Sequence, residues 1–340
     1  MKKLKLVVIL VLIGLLGSLS FFSACSPKVE EEKPKFKLAT VMPGSIQDAD
    51  YNTIGYIATQ EVGKEYSVES AYSEKVAVPD SERVMKEYIS DGYNVIWVHG
   101  AQFNGSALKL ADENPNVTFI IEVDSKPADA GMKPNVWYFH RNFHRGFYVL
   151  GALAALKTKT DKIGYIGGVA LPFTNGEINA VKQAITDLGS NAKLNYVFTG
   201  DFNDTLKARQ AAEGLISNGV DVILSSLNLG NYGIYNALAE SKTPVFITVK
   251  YTDKKDQTPQ NYLTADLFDF KVPLRAVVGN VLNGEKGGFL MLEYGEGKAR
   301  YAQFPISNVS EEINNKVKQI ADDVASDKIQ VIEKLDAINP

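Results

Sequence analysis

Residues 203–226 read NDTLKARQAAEGLISNGVDVILSS. Ala208, Ala211, Ala212, Leu215 and Ile216 recur at i, i+3, i+4, i+7 and i+8, one apolar stripe along a helix. Gly219 stops that helix, and residues 221–226 follow at once as a strand. The same alternation extends outward in both directions. Residues 36–42 (FKLATVM), 94–99 (NVIWVH), 117–123 (VTFIIEV), 162–168 (KIGYIGG) and 245–249 (VFITV) are short apolar runs. Near-continuous apolar character predicts parallel strands covered on both faces. Between two of them, Val84, Met85, Tyr88 and Ile89 make a second helical stripe behind an Asp80/Ser81 cap. This is βαβ repetition, and so a doubly wound α/β fold. Units lie on both sides of residue 140, so two lobes are expected rather than one large sheet. Open α/β sheets take ligands beyond the carboxyl ends of their strands. Two facing lobes would bury a small molecule in a cleft that closes about a hinge.

Composition narrows the function. The chain has 340 residues, 45% apolar and 22% charged, which is globular and long enough for two cores. Its 36 basic and 40 acidic side chains leave a formal charge of −4. The body carries no Lys/Arg run longer than a pair, so a nucleic-acid partner is not expected. The one cysteine excludes an intrachain disulfide, and no CxxC, GxSxG, GxxxxGK[ST] or HExxH signature occurs. His140 and His144 have a chelating i, i+4 spacing, but Arg141 and Arg145 would oppose a cation. No metal, no cofactor and no catalytic residue are expected. The pairs Asp48/Asp50 and Asp201/Asp204 read as caps rather than as an acid–base couple.

The N-terminus carries Lys2, Lys3 and Lys5 and then an apolar run from Leu6 to Leu16. That run is too short for a bilayer core of about 30 Å, so it reads as an export signal over residues 1–24. Phe22-Ser23-Ala24-Cys25 resembles a lipobox, with Cys25 as the lipidated, palmitate-bearing residue and Phe at a place where leucine is usual. Residues 25–35 are polar and contain two prolines, a flexible tether. The expected location is extracytoplasmic, held to the cell membrane by acyl chains.

Four segments together resemble the basic membrane protein (BMP) family of lipoproteins, substrate-binding components of ABC importers that include purine nucleoside receptors. They are Gly44 to Asn52, Val117 to Asp124, Phe147 to Gly168, and Thr199 to Asp204 with its following helix and Gly219 to Ile223. The resemblance covers about residues 36–310. It implies a type I periplasmic-binding-protein fold, with two Rossmann-like lobes and hinge crossovers. The N-terminal lobe would take 36–140 plus about 266–290, and the C-terminal lobe 141–265 plus about 291–340. It further implies a non-enzymatic carrier that captures a purine nucleoside or related nucleobase compound and docks on an ABC permease. The alternative is a sensor presenting a sugar-like or autoinducer ligand to a membrane kinase.

The first loop suits a nucleoside. Tyr51 could stack a base, Asn52 could pair a base edge, and Asp48 could accept from a base or ribose. The competing reading makes Asp48 a helix cap, Tyr51 core packing and Asn52 a turn former. Strand ends supply the other candidates: His99, Phe103, Asp124, Arg141, Phe173, Asn228, Tyr232, Lys250 and Asp266. The chain departs from the family at two of them. Lys250 stands where purine-binding members carry an aspartate, and Asp266 follows Thr264 where a lysine is usual. A cleft lined by Arg141 and Lys250 would favour a more electron-rich or anionic ligand.

Overall fold

The computed structural model describes residues 36–338. The expected export signal (1–24), the expected lipidation site Cys25 and the expected tether (25–35) lie outside them. Five strands come first: β1 (Lys37–Val41), β2 (Glu69–Ser73), β3 (Val95–Val98), β4 (Thr118–Val123) and β5 (Val136–His140). They alternate with α1 (Tyr51–Glu65), α2 (Ser81–Ser90) and α3 (Asn104–Glu113). The chain then enters α4 (Phe143–Lys157) and a second series: β6 (Lys162–Gly167), α5 (Pro172–Asp187), β7 (Lys193–Phe198), α6 (Thr205–Ser217), β8 (Val222–Ser226), α7 (Asn231–Glu240), β9 (Phe246–Tyr251) and β10 (Tyr262–Phe268). It returns for α8 (Lys271–Leu282) and β11 (Gly288–Met291), and ends on β12 (Arg300–Ala302) and α9 (Glu311–Ala325).

Two six-stranded sheets result. The first has the order β11-β5-β4-β3-β1-β2 and is parallel throughout. The second has the order β12-β10-β9-β8-β6-β7, with β12 antiparallel to β10. The chain crosses between the two halves after β5, after β10 and after β11. Asp266 therefore belongs to the second sheet, and the return to the first begins only beyond Phe268.

The apolar runs are buried strands, as their composition requires: every residue of β3 and β8 is buried. In α6 the stripe faces inward, with Ala208, Ala212 and Leu215 buried and Ala211 and Ile216 packed beside them. Gly219 ends the helix at φ +87°, with the Val220 amide closing on the Leu215 carbonyl at 3.1 Å. Asp204 caps the other end by accepting from the Lys207 amide at 3.0 Å. The expected Asp80/Ser81 cap is not formed. Residues Val78–Asp80 coil into a short 3₁₀ turn, and the Ser81 hydroxyl donates back to the Val78 carbonyl at 2.8 Å.

The aromatic cluster that matters for function joins the two halves. Tyr51, Trp97 and Phe139 from the first meet Phe143, Phe173, Tyr251 and Phe268 from the second. Among the described residues no helix is long and apolar enough to cross a membrane.

Candidate ligand-binding cleft

The carboxyl ends of both sheets converge on a cavity of about 450 Å³. The first half contributes Gly44, Tyr51, Asn52, Gly100, Gln102 and Asp124 to its wall. Arg141 stands where the chain crosses over. The second half contributes Leu171, Phe173, Phe202, Asn203, Asn228 and Tyr251. Six of the residues expected from the sequence thus come together: Tyr51, Asn52, Asp124, Arg141, Phe173 and Asn228.

Asp48 is not among them. Its Oδ1 accepts from the amides of Asp50 (2.9 Å) and Thr53 (3.0 Å) and from the Thr53 hydroxyl (2.9 Å). Its Oδ2 accepts from the Asn52 amide (3.0 Å) and from Asn52 Nδ2 (2.6 Å). The carboxylate ties the loop to the start of α1 and is fully engaged, so the capping role holds and the ligand role does not. It thereby sets Asn52, whose Oδ1 takes the Gly44 amide at 3.1 Å.

Tyr51 is held from behind. Its hydroxyl donates to Glu122 Oε2 at 2.5 Å, and its ring stacks on His99 at 3.8 Å between centroids. His99 lies against Glu122 Oε1 through Nδ1 (2.6 Å) and against the Tyr51 carbonyl through Nε2 (2.8 Å). His99 is therefore a buried support of the wall, not part of it. Burial alone would raise the Glu122 carboxyl, but His99, Arg141 and the Tyr51 hydroxyl outweigh it and hold it below its ordinary value. Burial and the neighbouring carboxylate push the Tyr51 phenol well up, so it stays a neutral donor.

Arg141 pairs with Asp124 through Nη2 and approaches Glu122 through Nη1 at 3.6 Å. Its guanidinium lies 4.9 Å from the ring centres of both Phe143 and Phe173. Its Nε has no partner. Burial would lower its pKa, but Asp124 and Glu122 hold it raised.

The remaining candidates sit elsewhere. Phe103 is core under the first sheet, packed with Val98 and Leu110. Tyr232 packs on the outer core of the second half, with its ring 5.8 Å from Tyr235. Lys250 is 1% exposed and donates to Glu177 Oε1 at 3.0 Å. Successive strand residues face opposite sides, so the lysine turns away and its neighbour Tyr251, at φ +75°, lines the cavity. Asp266 is fully buried against Arg300, so neither charge of the expected exchange faces the cleft. The side chains of His140 and His144 both turn to Glu333 (2.6 and 3.5 Å). Among the described residues no group of three potential metal ligands occurs.

Sequence reasoning missed Glu122, Glu177, Arg300, Phe202 and Tyr251. The one local signal was Glu122 itself, a carboxylate inside an apolar strand.

The Bmp family model, described as ABC transporter substrate-binding protein PnrA-like, matches residues 35–334. The chain belongs to the Bmp family. Basic membrane protein A of Borreliella burgdorferi is 25% identical over 330 residues, covering 90% of this chain and 94% of its own. A CD4+ T-cell-stimulating antigen of Listeria monocytogenes is 24% identical over 311 residues, 86% of each chain. Two solved ABC transporter solute-binding proteins share the fold. That of Aeropyrum pernix has a TM-score of 0.74 at 17% identity and covers 88% of this chain and 94% of its own. That of Conexibacter woesei has a TM-score of 0.71 at 20% identity, covering 88% and 100%. This Bmp protein thus has the type I periplasmic-binding-protein fold. As an ABC transporter substrate-binding protein it belongs to a non-enzymatic, extracytoplasmic class that takes a small-molecule ligand and a permease partner.

In this Bmp protein a second contact bridges the halves beside Tyr51. Asp50 Oδ1 accepts from the Thr252 hydroxyl at 2.9 Å and faces Lys254 Nζ at 3.1 Å. Burial, helped by Asp48, pushes the Asp50 carboxyl up to about 7 against the pull of Lys254 and Thr252. The folded state therefore keeps a proton that the unfolded chain releases at lower pH. Asp50's contribution to stability is complete below the ordinary carboxyl range and is lost as pH rises through about 7. Asp50→Asn should flatten this part of the stability profile, measured by urea unfolding at pH 5 and pH 8. An unchanged slope would mean that Asp50 is ionised throughout.

Proposed function

We propose that the protein captures a purine nucleoside or related nucleobase compound between two lobes and delivers it to an ABC permease. The lobes are taken as 36–140 with the return through β11, and the remainder through α9. The supporting observation is the wall of the cavity. Rings from both halves, Tyr51 of the first and Phe173, Phe202 and Tyr251 of the second, offer stacking surface. Asn52, Asp124, Arg141 and Asn228 offer donors and acceptors at the edge. Aromatic faces with a few fixed polar groups suit a flat heterocycle better than a sugar alone. The reading extends to the N-terminus, where an acyl group on Cys25 and the tether to residue 35 would hold the carrier at the membrane surface.

A thermal-shift panel of inosine, guanosine, adenosine, adenine, ribose and galactose tests it. At 100 times its dissociation constant a ligand stabilises by about 2.7 kcal/mol. The purines should raise the melting temperature and the sugars should not. A shift with a sugar alone would overturn the reading.

A further inference from the structure

Lys250 is buried beside the aromatic wall, where it forms an ion pair with the fully buried Glu177. Lys250 could have been replaced, with Glu177, by an apolar pair at little cost in stability, since buried ion pairs often stabilise no better than well-packed hydrocarbon. Its surroundings are specific. The ammonium stands 4.8 Å from the ring centre of Phe173, 4.8 Å from that of Tyr251 and 4.5 Å from that of Phe143. Phe173 and Tyr251 both border the cavity, whereas Lys250 does not. Phe173 has the Arg141 guanidinium 4.9 Å away as well. Glu177 fixes the ammonium and is itself fixed by the Tyr165 hydroxyl at 2.6 Å, so the cation cannot swing away from the rings.

We propose that Lys250 is a specificity-determining residue that never touches the ligand. From behind Phe173 and Tyr251 it tilts the stacking site toward electron-rich bases. This rests on the purine reading above. A cation over an aromatic ring draws the π density toward itself. The ring surface left for the cavity is then less negative, and repulsion between its quadrupole and that of a stacked base is reduced. The gain is greatest for a base rich in π density. Burial keeps the effect strong, because little water screens it. The same argument explains why the lysine faces rings rather than the cavity: it acts on stacking, not on charge pairing.

The test compares guanosine with 7-deazaguanosine, which is richer in π density, and 8-azaguanosine, which is poorer. All three keep the same pairing edge. Dissociation constants are measured by calorimetry for the wild-type protein and for Lys250→Met. Loss of the N7 contact in the deaza compound is common to both proteins and cancels. The spread between the 8-aza and 7-deaza compounds should narrow by about two- to fivefold in the variant. A purely structural role would weaken all three ligands alike and leave the spread unchanged, and that result overturns the proposal. Should Lys250→Met fail to fold because Glu177 is left unpaired, Lys250→Met with Glu177→Gln keeps a partner for Tyr165 and carries the same comparison. If wild-type protein binds no purine nucleoside at all, the purine reading itself fails and this inference with it. If nucleosides bind and the spread does not move, only the role of Lys250 is lost.

Discussion

Arg300→Met should destabilise the protein by about 3–5 kcal/mol, the usual cost of removing one partner of a buried ion pair. Arg300 is fully buried and pairs with Asp266, which is also fully buried. It further donates to the carbonyls of Arg141 (3.0 Å) and Asn142, where the chain first crosses between the halves. The variant strands all three acceptors. Its defect should depend on pH. Burial already pushes the Asp266 carboxyl up to about 6, with Arg300 pulling the other way. Without that cation the carboxyl moves higher still, so the loss is larger at pH 8 than at pH 5. Adding Asp266→Leu should recover most of the stability, because an unpaired charge is worse than none. Urea midpoints for the single and double variants at both pH values decide the matter; an equal loss in both would show that packing, not charge, is at stake. Gly146 belongs to the same arrangement. A Cβ there would collide with the Asp266 and Arg300 side chains, so Gly146→Ala should mimic part of the Arg300 defect.

Tyr51→Ala should weaken nucleoside binding by about 1–3 kcal/mol, roughly five- to 150-fold, the range for loss of one base–aromatic stack. The ring is held in place before any ligand arrives: His99 covers one face at 3.8 Å and Glu122 takes the hydroxyl. Tyr51→Phe separates the two roles. It keeps the ring, so affinity should largely survive. It removes a donor from buried Glu122, so stability should fall by about 1–3 kcal/mol. Titration calorimetry gives the first number and urea unfolding the second. Affinity unchanged in Tyr51→Ala would reduce the ring to a packing role.

The fold was largely legible because a strand covered on both faces must be apolar along its length. β3 (VIWV) and β8 (VILSS) carry that signature, and the helices between them carry the complementary stripe. The edges were not. β2 reads ESAYS and β7 reads KLNYVF, half-exposed segments with no continuous run, and β11 is a four-residue strand reached after a long excursion. The site was half legible. Strand ends pointed to Asp124, Phe173 and Asn228, which line the cavity. Local sequence cannot say which way a terminal side chain turns, and at β9 the choice between Lys250 and Tyr251 was off by one residue. Nor can it reveal partners such as Glu122 for Tyr51 or Glu177 for Lys250, which lie 71 and 73 residues apart along the chain. Asp48 is the instructive miss. A carboxylate before a helix fits either role, and only the five bonds it makes decide between them.

The order of strands in the first sheet bears on how the protein is made. β11 covers the outer edge of β5, yet it is separated from it by the whole of the second series. A ribosome must therefore deliver nearly the entire polypeptide before that sheet can be completed. Until then the outer edge of β5 has no strand beside it and the N-terminal half is one strand short.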